Sequence, residues 1–190
     1  MLRNRKSVSF RIGLVIAAVM AVMALVGYVW TPCDPTAIVG SEKFLGPSLR
    51  HLFGTDNFGR DIFSRVMVGV GTTFFISLCT VCIGGVVGTL IGAFTGYFGG
   101  VVDEVLMRIN DALTAFPNIL LALVFIAMLG FGKYNVILAL GVAFIPSFAR
   151  LVRAEFARQR AMSYVKSARL MGASHLRIMF RHILPNTRGV

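Results

Sequence analysis

The side chains that most often carry chemistry are few in this sequence and widely separated. Cys79 and Cys82 have Cys-x-x-Cys spacing, but both lie inside an apolar run, where thiols are expected to pack rather than to bind metal. Cys33 stands alone. The three histidines do not have the spacing of metal ligands: His51, His175 and His182. With no nucleophile–base pair and no glycine-rich phosphate loop, the sequence predicts no enzyme, no cofactor and no metal site.

The stretch 163–185 has the pattern of two short helices that meet at a corner. The first is predicted to end at Met171, because Gly172 can take a left-handed backbone without a Cβ clash. Ser174 is a good N-cap for the second helix, and Pro185 is expected to end it. The apolar residues of the second helix are spaced to form one face: Leu176, Met179, Phe180, Ile183 and Leu184.

Small and cationic residues determine the surface expected of this corner. Ala168, Gly172 and Ala173 leave it almost free of side chains, and Arg177 and Arg181 lie opposite the apolar face. Such a surface suits docking into a groove of another protein. The alternative is a basic amphipathic helix that lies on the membrane surface.

The same stretch resembles the EAA loop of bacterial ABC importer permeases: Glu-Ala-Ala, three residues, Gly, nine residues, then Ile-x-Leu-Pro. The Gly and the Leu-Pro fall at the family's spacing, whereas Lys166 replaces the Glu and His182 replaces the Ile. The resemblance implies that this segment couples the permease to a cytoplasmic ATPase. The implied coupling residues are Lys166, Ser167, Ala168, Gly172, Ala173, Leu184 and Pro185.

A second segment, residues 51–65, lies between the first two apolar runs and is rich in turn-forming residues. Asp61 and Arg65 are spaced for an i, i+4 ion pair, and the pattern predicts a solvated loop that leads into an interfacial helix. The segment is also similar to the external signature of the dipeptide, oligopeptide and nickel permeases. Every position of that signature is present: Gly54, Thr55, Asp56, Gly59, Arg60, Asp61, Ser64 and Arg65.

The composition is that of a membrane protein. Of the 190 residues, 56% are hydrophobic and 14% are charged, with a mean hydropathy of +0.79. The formal net charge of +11 stands beside the apolar runs, so the positive-inside rule explains it better than nucleic-acid binding does. The expected surroundings are therefore membrane lipid, with no nucleic acid as a partner.

Apolar runs predict four transmembrane helices, at 12–30, 73–97, 112–132 and 135–149. The alternative for the first run is a signal peptide, but the run is longer than a typical h-region and ends in interfacial aromatic residues. The 37 uncharged residues that begin at Val66 are too long for one span. A break is therefore expected at two nearby glycines, Gly69 and Gly71, after an interfacial helix that ends near residue 70.

Positive charge predicts the orientation. Residues 1–11, 98–111 and 150–190 are predicted to be cytoplasmic, and residues 31–70 are predicted to form an external loop. On this topology 14 Lys and Arg side chains lie inside and five lie outside, four of them in the external loop and one, Lys133, in the turn between the last two spans, which fits the positive-inside rule. Both termini are therefore predicted to be cytoplasmic.

Two features of the predicted spans leave alternatives open. Gly84, Gly88 and Gly92 repeat every four residues and create one smooth helix face, which suits a partner permease and packing within this chain equally well. Asp111 lies near a membrane boundary, where it is expected to cap a helix or pair with a neighbour such as Arg108 rather than line a path.

The resemblance to the dipeptide, oligopeptide and nickel ABC importer permeases covers essentially the whole sequence. It implies an all-α integral membrane protein of the bacterial plasma membrane, with a helical bundle of the ABC permease type. Four of the family's usual six spans are present, so a fragment or a truncated gene is expected. The implied partners are a second permease subunit, cytoplasmic ATP-binding subunits that hydrolyse ATP, and an external solute-binding protein.

The function favoured by the sequence is thus that of a permease subunit for di- or oligopeptides. A permease for nickel or another small solute is the alternative within the family, because the external signature is shared. A non-transporting remnant or an assembly partner is the alternative from a different class.

Overall fold

The computed structural model describes residues 2–187, with side chains from residue 8 onward. Residues 1 and 188–190, and the side chains of residues 2–7, which belong to the predicted cytoplasmic ends, lie outside the described part. The helices are α1 (Leu2–Val29), α2 (Ile62–Phe98), α3 (Gly100–Thr114), α4 (Asn118–Leu129), α5 (Lys133–Arg160), α6 (Ser163–Leu170) and α7 (His175–Arg177). A π-helical turn, Ile178–Ile183, and a 3-10 turn, Leu184–Thr187, continue α7, and another 3-10 turn spans Gly40–Glu42. No β-strand occurs among the described residues, which confirms the all-α prediction.

Three helices are long and apolar enough to cross a membrane: Val8–Val29 within α1, the whole of α2, and α5. The pair α3 and α4 meets the same criterion only together, and a bend of 86° separates the two. With 12 residues, α4 alone is about 18 Å long, too short for a hydrocarbon core of about 30 Å. By length and composition the described chain therefore holds three spans, or four if the bent pair forms one.

The second helix differs from the sequence prediction because it has no break. It runs unbroken for 37 residues through both Gly69 and Gly71. A glycine lowers helix propensity by about 1 kcal/mol relative to alanine but does not force a break. Gly71 instead allows α1 to come close, since a Cβ there would lie 3.3 Å from the Ala24 carbonyl oxygen. The predicted break is wrong, and α2 is about 55 Å long.

The segment predicted as a loop, residues 98–111, is largely helical. Gly99 and Gly100 have φ angles of +66° and +56°, so the chain turns from α2 into α3 almost directly. Charge on α3 contributes to packing, because the Arg153 guanidinium of α5 donates two hydrogen bonds to the Asp103 carboxylate. The loop prediction is wrong because these charged residues belong to one side of an amphipathic helix.

The predicted third span, residues 112–132, is divided between two helices. Its first residues form the end of α3, and the rest belongs mainly to α4. Pro117 lies in the break, and the residue before a proline is pushed out of the α region. The sharp bend between α3 and α4 follows from this local constraint.

The predicted fourth span, residues 135–149, is part of a longer helix. Arg150 does not end α5, which continues to residue 160. The Arg150 guanidinium donates a hydrogen bond of 2.6 Å to Thr114 Oγ1 and lies 3.9 Å from the Asp111 carboxylate. Asp111 therefore lies near an arginine, as predicted, but the arginine is Arg150 and not the example given by the sequence, Arg108. The helix therefore extends well beyond the predicted span, and Arg150 finds partners beside it.

Contacts divide the chain into two compact units, within residues 1–75 and 76–190, and α2 contributes to both. In the first unit α1 and α2 cross closely at a glycine: a Cβ on Gly27 would lie 2.8 Å from the Met67 carbonyl oxygen. Met67 and Ala24 are buried at this crossing. The same unit contains the α1–α2 loop, residues 30–61.

In the second unit α2 packs against α5 along a glycine seam. The seam residues occur at every fourth position: Gly84, Gly88, Gly92 and Gly96. A Cβ on Gly92 would lie 2.5 Å from the Ala149 carbonyl oxygen, and one on Gly96 would lie 2.5 Å from the Arg153 carbonyl oxygen. Of the two alternatives for this smooth face, the structure shows packing within the chain.

The core of the second unit lies where the last helices meet α2 and α5. Its buried members are Ala93, Tyr97, Phe156, Val165, Ala168, Ile178, Met179 and Ile183. Burial of each larger apolar side chain contributes about 1.5–3 kcal/mol. The C-terminal segment is therefore fixed firmly to the ends of two long helices.

Candidate functional site

The C-terminal corner, residues 163–185, is built around Gly172. This glycine has a φ of +79°, and the Ala173 N–H donates to the Ala168 carbonyl at 3.1 Å while the Gly172 N–H donates to the Arg169 carbonyl at 3.0 Å. These two bonds form a Schellman motif, which satisfies the last carbonyls of α6. The sequence prediction of a left-handed glycine after Met171 is confirmed.

The second arm of the corner begins as predicted and then departs from an α-helix. Ser174 Oγ accepts a hydrogen bond from the Arg177 N–H at 3.4 Å, as an N-cap does. The following turn is π-helical, and the residues it buries are Ile178, Met179 and Ile183. A π-turn pairs residues five positions apart, and here the Leu184 N–H donates to the Met179 carbonyl.

The apolar face predicted for this arm is therefore partly wrong. Leu176 and Phe180 are exposed, whereas Ile178, which the α-helical pattern placed elsewhere, is fully buried. Helical structure also continues past Pro185 to residue 187. Beyond the proline, Thr187 Oγ1 donates to the Leu184 carbonyl at 2.7 Å, so a side chain satisfies an acceptor there.

A buried tyrosine at the end of α2 joins both arms of the corner. The Tyr97 hydroxyl lies 2.8 Å from His175 Nδ1, in the second arm, and accepts a hydrogen bond of 3.2 Å from the Arg169 guanidinium, in the first. The Tyr97 and His175 rings also make an edge contact, with centroids 5.6 Å apart. Tyr97 thus links the corner to α2.

The predicted coupling residues divide into an outer and an inner group. Lys166, Ser167 and Gly172 are exposed, while Ala173, Leu184 and Pro185 are half-buried. Ala168 is only 4% exposed and belongs to the core, so it holds the corner in place. Beside Gly172, two large apolar side chains face outward: Leu170 is 89% exposed and Met171 is 81% exposed.

In the α1–α2 loop, the residues of the external signature mainly hold the loop together. The Asp56 carboxylate accepts hydrogen bonds from the Phe58 N–H at 2.8 Å and from Arg60 Nε at 2.7 Å. Thr55 Oγ1 donates to the Glu42 carbonyl and accepts from the Leu45 N–H. The loop is thereby tied back on itself across more than ten residues.

Both glycines of the signature are required by the loop's conformation. Gly54 has a φ of +74° and Gly59 a φ of +76°. A Cβ on Gly54 would lie 2.3 Å from the Leu45 carbonyl oxygen, and one on Gly59 would lie 1.9 Å from the Val39 carbonyl oxygen. Any side chain at either position would displace the backbone that it meets.

Asp61 is buried and caps the first turn of α2. Its carboxylate accepts hydrogen bonds from the Ser64 N–H at 2.8 Å, from Ser64 Oγ at 2.6 Å, and from His51 Nδ1 at 2.9 Å. Burial raises the pKa of Asp61, but the hydrogen bonds from Ser64 and His51 outweigh it and hold that pKa below its ordinary value.

The ion pair predicted between Asp61 and Arg65 is wrong. Asp61 is bonded to His51 and Ser64, whereas the Arg65 guanidinium donates to the Pro35 carbonyl at 3.4 Å and lies 3.9 Å from the Asp56 carboxylate. The i, i+4 rule applies to exposed faces of helices, and Asp61 is a cap whose side chain turns back onto the helix.

Comparison with known families shows what kind of protein has this arrangement. Residues 88–190 match the model of a family described as "Binding-protein-dependent transport system inner membrane component". The match covers more than half of the chain and includes α3, α4, α5 and the corner. The chain belongs to this family.

Individual relatives of this inner-membrane component carry the names of transport proteins. A Brucella suis protein named as a candidate peptide transport system permease is 45% identical over 178 residues, which cover 94% of this chain and 60% of the relative. Glutathione transport system permease proteins of Escherichia coli and Pectobacterium atrosepticum are 49% and 44% identical over 142 residues, 75% of this chain and 47% of each relative. The chain thus spans about half to three-fifths of the length of these relatives.

Family membership and the long apolar helices together make the chain a multi-pass membrane protein of the permease type. The family resemblance predicted from the two motifs is confirmed, and so is the fold class. Reasoning from the sequence missed three residues of this inner-membrane component, Tyr97, Leu170 and Met171. A tyrosine that ends an apolar helix is usually taken for an interfacial anchor, and Leu170 and Met171 lack a periodic pattern.

Proposed function

We propose that this chain forms part of the membrane subunit of an ABC importer in the bacterial inner membrane. The proposed solute is a di- or oligopeptide, because the relatives are named for peptide and glutathione transport. These names favour a peptide over nickel as the solute, although the nickel permeases share the external signature. Four spans with both termini in the cytoplasm are the topology proposed for the described part.

The C-terminal corner is the proposed docking site for the cytoplasmic ATP-binding subunit. The observation that carries this proposal is the difference between its two faces. The inner face is anchored in the core, whereas Leu170 and Met171 on the outer face are almost fully exposed beside the small residue Gly172. Apolar side chains of this size, exposed outside the long helices, suit a pocket on another protein.

Charge around the corner indicates what the partner's surface should carry. The exposed cations of the two arms are Lys166, Arg169, Arg177 and Arg181. Opposite charge on a partner speeds association and selects the correct partner. The groove of the ATP-binding subunit is therefore proposed to be apolar at its centre and acidic at its rim, which also suits Lys166 where the family has Glu.

Transport is proposed to follow from movement of the corner as a rigid body. When two ATP-binding subunits close on ATP, each carries its docked corner with it. The corner is bonded to α2 through Tyr97 and packed on α5 through Phe156. Movement of the docked segment is thereby passed to two membrane helices, and the chain itself makes or breaks no covalent bond.

The α1–α2 loop is the proposed contact site for an external solute-binding protein. The signature residues stabilise the loop, so the contacts would come from the side chains that the loop presents outward. Leu49 is fully exposed, and Phe44 is exposed close to it in sequence. A second permease subunit is proposed to complete the translocation path.

The test of the docking proposal is co-purification of the ATP-binding subunit with the double variant Leu170→Ser, Met171→Ser. Loss of two exposed apolar contacts should reduce retention of the partner at least tenfold, while the permease remains in the membrane. Leu49→Ser is the matched control, because it makes the same kind of change on the α1–α2 loop. Equal retention by the double variant and the control would refute docking at the corner.

A further inference from the structure

Three side chains with metal-binding chemistry come together in the α1–α2 loop. A ring nitrogen of His51, the Sγ of Cys33 and a carboxylate oxygen of Asp61 lie within 4.8 Å of one another. They line a cavity of about 570 Å³ that Glu42 also lines. Spacing along the sequence predicts no ligand set here, so the cluster is a product of the fold.

His51 lies between two carboxylates. It is only 5% exposed, with Nδ1 at 2.9 Å from Asp61 Oδ1 and Nε2 at 3.5 Å from Glu42 Oε2. Nε2 is buried without a hydrogen-bond partner, because its contact with Glu42 is too long or poorly aligned to count as one. A neutral imidazole carries one N–H, so one ring nitrogen must face a carboxylate with its lone pair.

Two lone pairs that face each other repel, and a positive charge between them turns this repulsion into attraction. A second proton on His51 would supply that charge, and so would a metal ion. The position of Cys33 favours the metal ion, since its sulfur belongs to the same cluster and makes only a long hydrogen bond of 3.8 Å to the Arg50 carbonyl among the described residues. A neutral thiol would not stabilise an imidazolium, whereas a thiolate is a strong ligand for a soft or borderline metal ion.

We propose that Cys33, His51 and the carboxylates of Asp61 and Glu42 form a binding site for a divalent ion of the Zn²⁺ class. Sulfur, imidazole nitrogen and carboxylate oxygen are the ligands that Zn²⁺ takes in proteins, whereas Mg²⁺ and Ca²⁺ take oxygen. One ring nitrogen of His51 would bind the ion. The carboxylate beside the second ring nitrogen would then accept its N–H and orient the imidazole, as outer carboxylates do for metal-bound histidines. The proposal does not depend on the transport function.

The spacing of the ligand atoms fits this ion after a small adjustment. Zinc binds sulfur at about 2.3 Å and nitrogen at about 2.1 Å in tetrahedral geometry, so the two ligand atoms lie about 3.6 Å apart on one ion. Cys33 is attached to the cluster through its backbone, since its N–H donates to Ser64 Oγ at 3.0 Å. Rotation of the thiol about its side-chain bond can therefore bring the sulfur closer without disturbing the loop.

The test is a titration of the purified, untagged chain in detergent with Co²⁺, followed by competition with Zn²⁺. Cobalt bound to a thiolate has a charge-transfer absorption in the near ultraviolet. Wild-type chain should bind one ion and show this absorption. Cys33→Ser should lose the absorption and bind Zn²⁺ at least tenfold more weakly, since even the loss of an outer partner costs 10–100-fold.

Two further variants keep the test decisive. The double variant Cys79→Ser, Cys82→Ser removes the other two thiols, which lie in α2, and should bind as the wild type does. Glu42→Gln keeps the shape of its side chain and should weaken Zn²⁺ binding without unfolding the loop, which the melting curve of the metal-free variant checks. Absence of one-to-one binding by the wild type would overturn the proposal. The proposal would also be overturned if Zn²⁺ binding survived Cys33→Ser but was lost in the double variant Cys79→Ser, Cys82→Ser.

Discussion

The Asp61 carboxylate fixes the point at which the α1–α2 loop enters the second helix. It accepts hydrogen bonds from Ser64 on one side and from His51 on the other. A buried acceptor of this kind stabilises a fold chiefly because its donors have no other partner when it is removed. The external signature therefore acts first on the shape of the loop.

The first prediction is that Asp61→Asn destabilises the chain by about 1–3 kcal/mol at pH 7, because an amide replaces an acceptor oxygen with a donor. Thermal unfolding in detergent measures the change. Asp34→Asn is the control: Asp34 is exposed and its carboxylate is bonded to Thr36 within its own turn, so its loss should cost about 0.5 kcal/mol or less. Equal effects of the two changes would contradict a special role for Asp61.

Acidity should reveal the same interaction. Because the pKa of Asp61 is held below its ordinary value, its stabilisation is fully present above about pH 4 and is lost as the pH falls further. The Asn variant has nothing to protonate at this position, so its unfolding temperature should fall less than that of the wild type between pH 5 and acidic pH.

The residues of the external signature could be recognised from the sequence, but their partners could not. Gly54 and Gly59 were identifiable as turn residues because glycine is typical of left-handed backbone. The partner of Asp61 is His51, ten positions earlier, and Cys33 is still farther away. No local spacing rule connects such residues, since the loop brings them together only when it folds.

At the scale of whole helices, the seam between α2 and α5 depends on the absence of side chains. We expect Gly92→Ala to destabilise the second unit by about 1–3 kcal/mol, because its Cβ would lie 2.5 Å from the Ala149 carbonyl oxygen. Gly85→Ala is the matched control on the same helix, where the nearest atom, on Phe148, is 4.0 Å away. Unfolding temperatures of the two variants are compared in detergent. Equal unfolding temperatures would show that the close contact at Gly92 does not contribute to stability.

Tyr97 provides a separate test of how the corner is attached. Tyr97→Phe keeps the buried ring but removes the hydroxyl that contacts His175 and Arg169, so the corner should loosen by about 1 kcal/mol. Limited trypsin digestion should then cleave the corner several times faster than in the wild type. Tyr134→Phe, at an exposed ring early in α5, is expected to leave the cleavage rate unchanged. If Tyr97→Phe is cut no faster, the hydroxyl does not hold the corner.

Helix bounds were predictable where backbone chemistry decides them and not where tertiary contacts do. The end of α6 at Gly172 follows from glycine's freedom at positive φ. In contrast, the charged side of α3 packs against α5 through Asp103 and Arg153, which lie far apart in the sequence. The π-turn after α7 likewise depends on the core that buries Ile178, and an α-helical pattern cannot foresee it.

For the molecule as a whole, the topology is the property that the charge distribution predicts and that labelling can test. In a variant without the native cysteines, Leu49→Cys should react with an impermeant thiol reagent in intact cells, and Ser167→Cys should react only after the cells are opened. Both positions are exposed, so reactivity reports the side of the membrane and not burial. Labelling of Ser167→Cys but not of Leu49→Cys in intact cells would show that the orientation is the opposite of the proposed one.

The glycine seam has a mechanical consequence. At Gly84–Gly96 the backbone of α2 comes within contact of the backbone and Cβ atoms of α5, so few side-chain atoms separate the two helices there. The two helices should therefore move as one rigid body rather than slide past each other, and the pair should bend less than either helix alone. Movement of one end of this helix pair should then be transmitted to the other end, because little of it is lost in bending. Flexing is left to the joints at its ends, such as the pair Gly99 and Gly100.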